Sequence, residues 1–193
     1  MGNMKKNTTA FTRNTQKYLD TFGCILDEMI HGMMHARLSN SISHNFIVQM
    51  IPHHKAAIQM SHNVLKYTTN PDIECIASHI ITEQTKSIEN MEQILSCCSQ
   101  MTNPKKDLCE YQNRIERVFQ TMFQRMQNVE AVNSNDCNFL REMLPHHEGA
   151  VSFSEITLQY RICPELKPIL DSIIVSQKQG ICEMKELLCK LSC

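Results

Sequence analysis

The chain has 193 residues, a formal net charge of −1 and 42% hydrophobic residues, enough for one sizeable core or two small ones sharing an interface. So even a charge balance leaves no electrostatic footprint for nucleic acid, and no run of about 18 apolar residues is present to span a membrane. With 13 Met, 10 Cys and 9 His against no Trp and only 5 Gly, the composition favours long helices over a turn-rich β fold.

The first stretch, "MGNMKKNTTAFTRNTQKY", is basic and polar with no apolar run behind it, so it does not read as a secretory leader. Lys6 breaks the myristoylation pattern behind Gly2. The expectation is a cytoplasmic protein whose thiols stay largely reduced; in an oxidising compartment the same cysteines could bridge, in pairs the sequence does not define.

From about residue 11 to 37 the spacing predicts a helix, with Tyr18, Phe22, Ile25, Met29 and Met33 on one face. A second helix starts near Ser43, a suitable N-cap, and runs to Tyr67. Asn70-Pro71 marks a turn, since Pro suits the first turn of a helix. The third helix aligns Ile73, Ile76, Ile80, Gln84, Ile88, Met91 and Leu95.

After "SQMTNPKK" the pattern returns. "MIPHH" at residues 50–54 recurs as "MLPHH" at 143–147, an offset of 146 − 53 = 93 residues. Without a gap, residues 45–95 match 138–188 at about a third of positions, including Asn45/Asn138, Phe46/Phe139, Ser61/Ser154, Gln84/Gln177 and Ile88/Ile181. Tyr111, Ile115, Val118, Met122 and Met126 repeat the first stripe, and Asp136 reads as the cap of the fifth helix. The chain therefore reads as a tandem repeat, 11–98 and 104–192, of three helices each. The expected fold is an all-α up-down bundle with the repeats about a pseudo-twofold, forming two units or one compact six-helix domain.

Four Met pairs coincide at the offset: Met29/Met122, Met33/Met126, Met50/Met143 and Met91/Met184. A Met stripe at helical spacing also reads as ordinary core, but neighbouring apolar positions exchange Ile, Leu and Val while these do not. His53 and His54 recur as His146 and His147. Met50 and His54 lie four apart on one helical face, whereas His53 points about 100° away and is expected near the rim, as is His146. Pro52 inside the helix removes one hydrogen bond and kinks the chain. Thioether with imidazole selects soft ions such as Cu(I) and Ag(I).

The expected ligands are Met29, Met33, Met50, His54 and Met91, with His53 at the rim, and Met122, Met126, Met143, His147 and Met184, with His146 at the rim. Gln84 and Gln177 would hydrogen-bond a His and orient it. None of the ten cysteines falls on another at the offset, so they read as plain buried residues first. Cys182, Cys189 and Cys193 share a face of the last helix, and with Cys97-Cys98 they offer a second thiolate patch. Catalytic inventories fail: only Glu28-x-x-His31 matches a di-iron pattern, and there is no HExxH, GxSxG or phosphate loop.

The string Phe46-x-x-x-Met50-x-Pro52-His53-His54-x-x-Ala57, followed by Gln84-x-x-x-Ile88-x-x-Met91, resembles a bacterial family known as domain of unknown function number 305. The second copy carries it at Phe139, Met143, Pro145, His146, His147, Ala150, Gln177, Ile181 and Met184. The resemblance implies a ferritin-like helical bundle and a link to copper. Where the family has an acidic residue before the isoleucine, this chain has Ser87 and Gly180.

The expected function is a non-enzymatic copper- or silver-binding protein, a buffer or tolerance factor whose partner is the metal ion; a homodimer stays open. The competing expectation is a helical interaction or scaffold module with no metal, its Met-rich surface packing a partner helix. A redox-active thiol protein is a third, and would need an exposed, low-pKa cysteine.

Overall fold

The computed structural model describes residues 10–193, so the leader and myristoylation readings of residues 1–9 lie outside it. Six helices follow in order: α1 (Arg13–Met34), α2 (Ile42–Val64), α3 (Pro71–Cys98), α4 (Lys105–Gln127), α5 (Asn135–Thr157) and α6 (Leu166–Leu191). No strand occurs among the described residues, and the fold is an all-α helical bundle. Among the described residues, no helix is long and apolar enough to cross a membrane.

Local chemistry sets the helix starts. Thr12, Ser41 and Ser134 each accept the backbone N–H three residues on, and Asn70 accepts that of Asp72 ahead of Pro71 at the first turn. The caps of α2 and α5 are thus Ser41 and Ser134, two residues before the expected Ser43 and Asp136. Ser43 is buried and instead accepts the Cys163 N–H at 2.8 Å, which ties the start of α2 to the loop before α6. Asn45 holds the backbone of Ser39 at 2.7 and 3.1 Å, and Asn138 holds that of Val132 at 2.8 Å in both directions. Both asparagines pin the loop that feeds their own helix.

Each helix packs on its chain neighbours, α1 on α2 on α3 and α4 on α5 on α6; the halves then meet where α2 crosses α5 and α3 crosses α6. Helices α2, α3, α5 and α6 therefore make a four-helix core, with α1 and α4 laid outside it. The predicted stripe residues Tyr18, Phe22, Ile25, Met29 and Met33 are all buried, as are Tyr111, Ile115, Met122 and Met126. The core is continuous across both halves. Pro52 and Pro145 stand inside α2 and α5. Opposite Pro52 the chain carries Gly32, where a Cβ would come within 2.8 Å of the proline ring. Only glycine lets α1 approach the Pro52 ring so closely.

A disulfide joins Cys137, at the start of α5, to Cys193 at the end of the chain. It closes 56 residues, a loop whose constraint in the unfolded chain is worth about 4 kcal/mol. Such bonds persist in oxidising compartments and are reduced in the cytosol. The pair is bridged only where the chain meets oxidising conditions, which bears on the cytoplasmic expectation.

Candidate metal centre

The α2–α5 crossing puts all four repeated histidines at the centre of the molecule, none more than 2% exposed. His53 and His146 stack with ring centroids 3.6 Å apart and planes 27° from parallel. Each Nε2–H donates to the other residue's backbone carbonyl, at 3.2 Å from His53 and 3.1 Å from His146. His54 and His147 flank this pair, each 5.9 Å from its sequence neighbour. The result is one row, His54–His53–His146–His147, shared by both halves.

This corrects the expected rim positions of His53 and His146. Their 100° displacement from His54 points them at the partner half, because α2 and α5 cross at that face. The expected division into one site per repeat is changed as well, since the two pairs meet in a single cluster.

The hydrogen bonds fix the tautomers of the stacked pair. A ring whose Nε2 carries the proton for a carbonyl has its lone pair on Nδ1. Nδ1 of His53, His54, His146 and His147 is in every case buried with no hydrogen-bond partner. For His147 the Met143 carbonyl, one turn earlier, is near enough to favour the charged ring but falls short of hydrogen-bond geometry. A buried acceptor without a donor costs about 1–3 kcal/mol, so the free Nδ1 lone pairs of His53 and His146 ask for an electrophile.

Burial keeps these rings neutral. It lowers His54 to about 3 and His146 to about 4, with the charge of His146 adding to the first and the His53 carbonyl opposing the second. His53 and His147 are pushed well down by burial first and by the neighbouring imidazoles next. Neutral imidazole is the form that ligates a metal.

All eight paired methionines lie in the same core, none more than 3% exposed. Among the described residues, only Cys97, Cys163 and Glu165 bring three His, Cys, Asp or Glu ligand atoms within 4.8 Å of one another. The imidazoles alone thus form no three-nitrogen cage.

Gln84 and Gln177 are buried but do not orient a histidine. Both amide atoms of Gln84 and Oε1 of Gln177 lack partners. Ser87, nearly one turn further along α3, meets His54 instead, its Oγ 3.1 Å from Nε2. The equivalent residue on α6 is Gly180, where a Cβ would stand 3.3 Å from His147 Nε2. With no side chain there, a cleft of 20 Å³ reaches His147 between α3 and α6, lined also by His79, Glu83, Gln84, Gln177 and Glu183.

Sequence reasoning missed Glu142. It is 1% exposed, one residue before Met143 and four before His146, and its carboxyl accepts the Tyr18 hydroxyl at 2.6 Å. Burial raises it to about 8, against the Tyr18 hydrogen bond that favours its charged form. The signal available was its position at the offset opposite Gln49, a second buried polar residue beside a paired Met.

A family model described as "Domain of unknown function (DUF305)" matches residues 43–188, three quarters of the chain. The chain belongs to the DUF305 family. Solved structures share its fold. One described as CopM in the Ag-bound form, obtained by soaking, has a TM-score of 0.58 and 25% identity, covering 77% of this chain and 95% of its own. The apo form of CopM gives 0.58 and 26%, covering 77% and 96%. A DUF305 fragment from Deinococcus radiodurans gives 0.57 and 23%, again covering 77% and 96%. A comparison with curated proteins finds no match.

Proposed function

We propose that this DUF305 protein binds a soft monovalent ion, Cu(I) or Ag(I), in its Met- and His-lined core, as a metal buffer or tolerance factor and not as an enzyme. The observation that carries the proposal is the row of four buried imidazoles, with the Nδ1 lone pairs of His53 and His146 left without a partner, set in a core with eight buried methionines. The silver-bound form of the similar protein CopM supports the same class of ion.

The metal is cargo here. His53, His54, His146 and His147 supply nitrogen, and Met50 and Met143, on the same helices, supply sulfur, with Met29, Met33, Met91, Met122, Met126 and Met184 as further thioethers. The stacked pair keeps Nε2–H on a carbonyl, so each ring turns its lone pair away from that bond without changing tautomer. Burial excludes water and holds the rings neutral, so an ion entering the core displaces no proton from them.

The test is an anaerobic titration with Cu(I) against a competing chelator, with a thermal melt at each point. One or two equivalents should bind and raise the melting temperature, because a ligand that binds only the folded state stabilises it. The double variant His54→Ala with His147→Ala should lose that binding. Metal uptake that disappears only when thiols are blocked, with the double variant unchanged, would leave the histidine row as packing and favour an interaction module.

A further inference from the structure

We propose a second metal site, independent of the histidine row, in which Cys97, Cys163 and Glu165 hold a thiophilic d10 ion such as Zn(II) or Cd(II), with Cys98 as the fourth donor. Cys97 and Cys98 end α3, while Cys163 and Glu165 lie in the loop between α5 and α6. The Sγ atoms of Cys97 and Cys163 and a Glu165 carboxylate oxygen lie within 4.8 Å of one another. The Cys98 thiol, fully buried, is in side-chain contact with that of Cys163. Donors on a tetrahedral ion with bonds of about 2.3 Å stand about 3.7 Å apart, so side-chain rotation alone closes the set.

The surroundings hold this corner rigid. Ser41 Oγ donates to the Cys98 carbonyl at 2.7 Å, and Cys163 N donates to Ser43 Oγ at 2.8 Å. Asn103, 7% exposed, accepts from Ile42 N at 2.9 Å and donates to the Arg161 carbonyl at 2.7 Å. The start of α2, the end of α3, the linker to α4 and the loop before α6 are thus tied by buried hydrogen bonds. Both cysteine-bearing segments are fixed before any ion arrives.

The Cys163 thiol donates to Glu165 Oε2 at 2.7 Å, and Cys97 and Glu165 are exposed, so an ion has a way in and the thiol protons leave to solvent on binding. At the 93-residue offset the four positions correspond to Lys190, Leu191, Asn70 and Asp72. The site therefore exists once, and it would clip the first half to the second.

Cd(II) is the probe, added anaerobically to the full chain with its Cys137–Cys193 bridge intact, and thiolate-to-metal charge transfer is read in the near ultraviolet. A variant with Cys24, Cys75, Cys109, Cys182 and Cys189 all changed to Ser should keep one equivalent of the band. Adding Cys97→Ser and Cys163→Ser should abolish it while Ag(I) binding in the core persists; Glu165→Gln should weaken Cd(II) about tenfold. No charge-transfer band in the five-serine variant would overturn the proposal, as would a band that survives loss of Cys97 and Cys163. If any variant fails to fold, alkylation protection in the unmutated chain decides: Cd(II) should shield the exposed Cys97, and equal labelling of Cys97 with and without the metal would overturn the site.

Discussion

His54 and His147 occupy the same place in the two halves, yet their outer nitrogens meet different neighbours. On the first half Ser87 lies 3.1 Å from His54 Nε2 and closes the ring in. On the second, Gly180 leaves a cleft of 20 Å³ against His147, lined also by His79, Glu83 and Glu183. A single side chain thus separates an imidazole capped by a hydroxyl from one that borders a small cleft. The inner pair shows the opposite rule, since His53 and His146 make reciprocal bonds and are equivalent. Symmetry is kept where the halves touch and relaxed where they face outward.

The largest expected effect treats both halves alike. The folded pKa values of the four histidines lie below the unfolded 6.5, so their stability contribution is complete above that pH and is lost as pH falls toward 4. At about 1.4 kcal/mol per histidine per pH unit below 6.5, His54 and His146 lose about 5–6 kcal/mol by pH 4.5, and His53 and His147 add to the loss in the same direction. Glu142 acts oppositely. Its folded value of about 8 lies above the unfolded 4.5, so it stabilises increasingly as pH falls through that window and returns about 3–4 kcal/mol. The net loss approaches the whole stability of a domain, and the metal-free protein should unfold cooperatively between about pH 5.5 and 4 by circular dichroism. Glu142→Gln should raise stability at pH 8 and steepen the acid loss. A melting temperature constant from pH 7 to 5 would contradict both.

Reducing the Cys137–Cys193 bridge acts on the second half alone, because His44 and Gln100 stand at the equivalent positions of the first. It should remove about 4 kcal/mol, read as a lower denaturation midpoint, with hydrogen exchange rising at the start of α5 before the start of α2. Equal exchange at the two helix starts would deny the asymmetry.

Gly180→Ser would give His147 the neighbour His54 has. Its Cβ would stand 3.2–3.3 Å from the imidazole, so the ring must shift by a few tenths of an ångström, at about 1–2 kcal/mol. Metal uptake in stopped flow should slow, with the number bound unchanged. The smallest effect is Ser87→Ala, which should cost about 1 kcal/mol and make His54 as accessible as His147. Uptake equal to the unmutated rate in both variants would remove the cleft from the entry path.

Much of the fold was legible in the sequence because it depends on local rules. The 3.6-residue stripes, Pro71 at a first turn and the few glycines each constrain one helix, and the helices fell where those signals were strongest. The α2 and α5 caps moved by two residues because Ser41 and Ser134, with chemistry equal to Ser43 and Asp136, were the residues with a free backbone N–H three positions on. The site was less legible. Periodicity tells which way His53 points on its own helix, but whether that direction is solvent or another half depends on how α2 and α5 cross. The same ignorance assigned Gln84 and Gln177 a bond that Ser87 makes, since the choice between residues three apart on α3 rests on its rotation. The cysteines carried no repeat signal, and the sites they form join segments far apart in the chain.

The most direct measurement is nitrogen NMR of the imidazoles during a titration with Ag(I), a diamagnetic ion. Ring-nitrogen resonances of the buried histidines, Nδ1 of His53 and His146 among them, should move within the first two equivalents, while Nε2 of His53 and His146 keep their protons. Shifts confined to the exposed pair His31 and His35, with the buried rings unmoved at two equivalents, would contradict metal binding in the core.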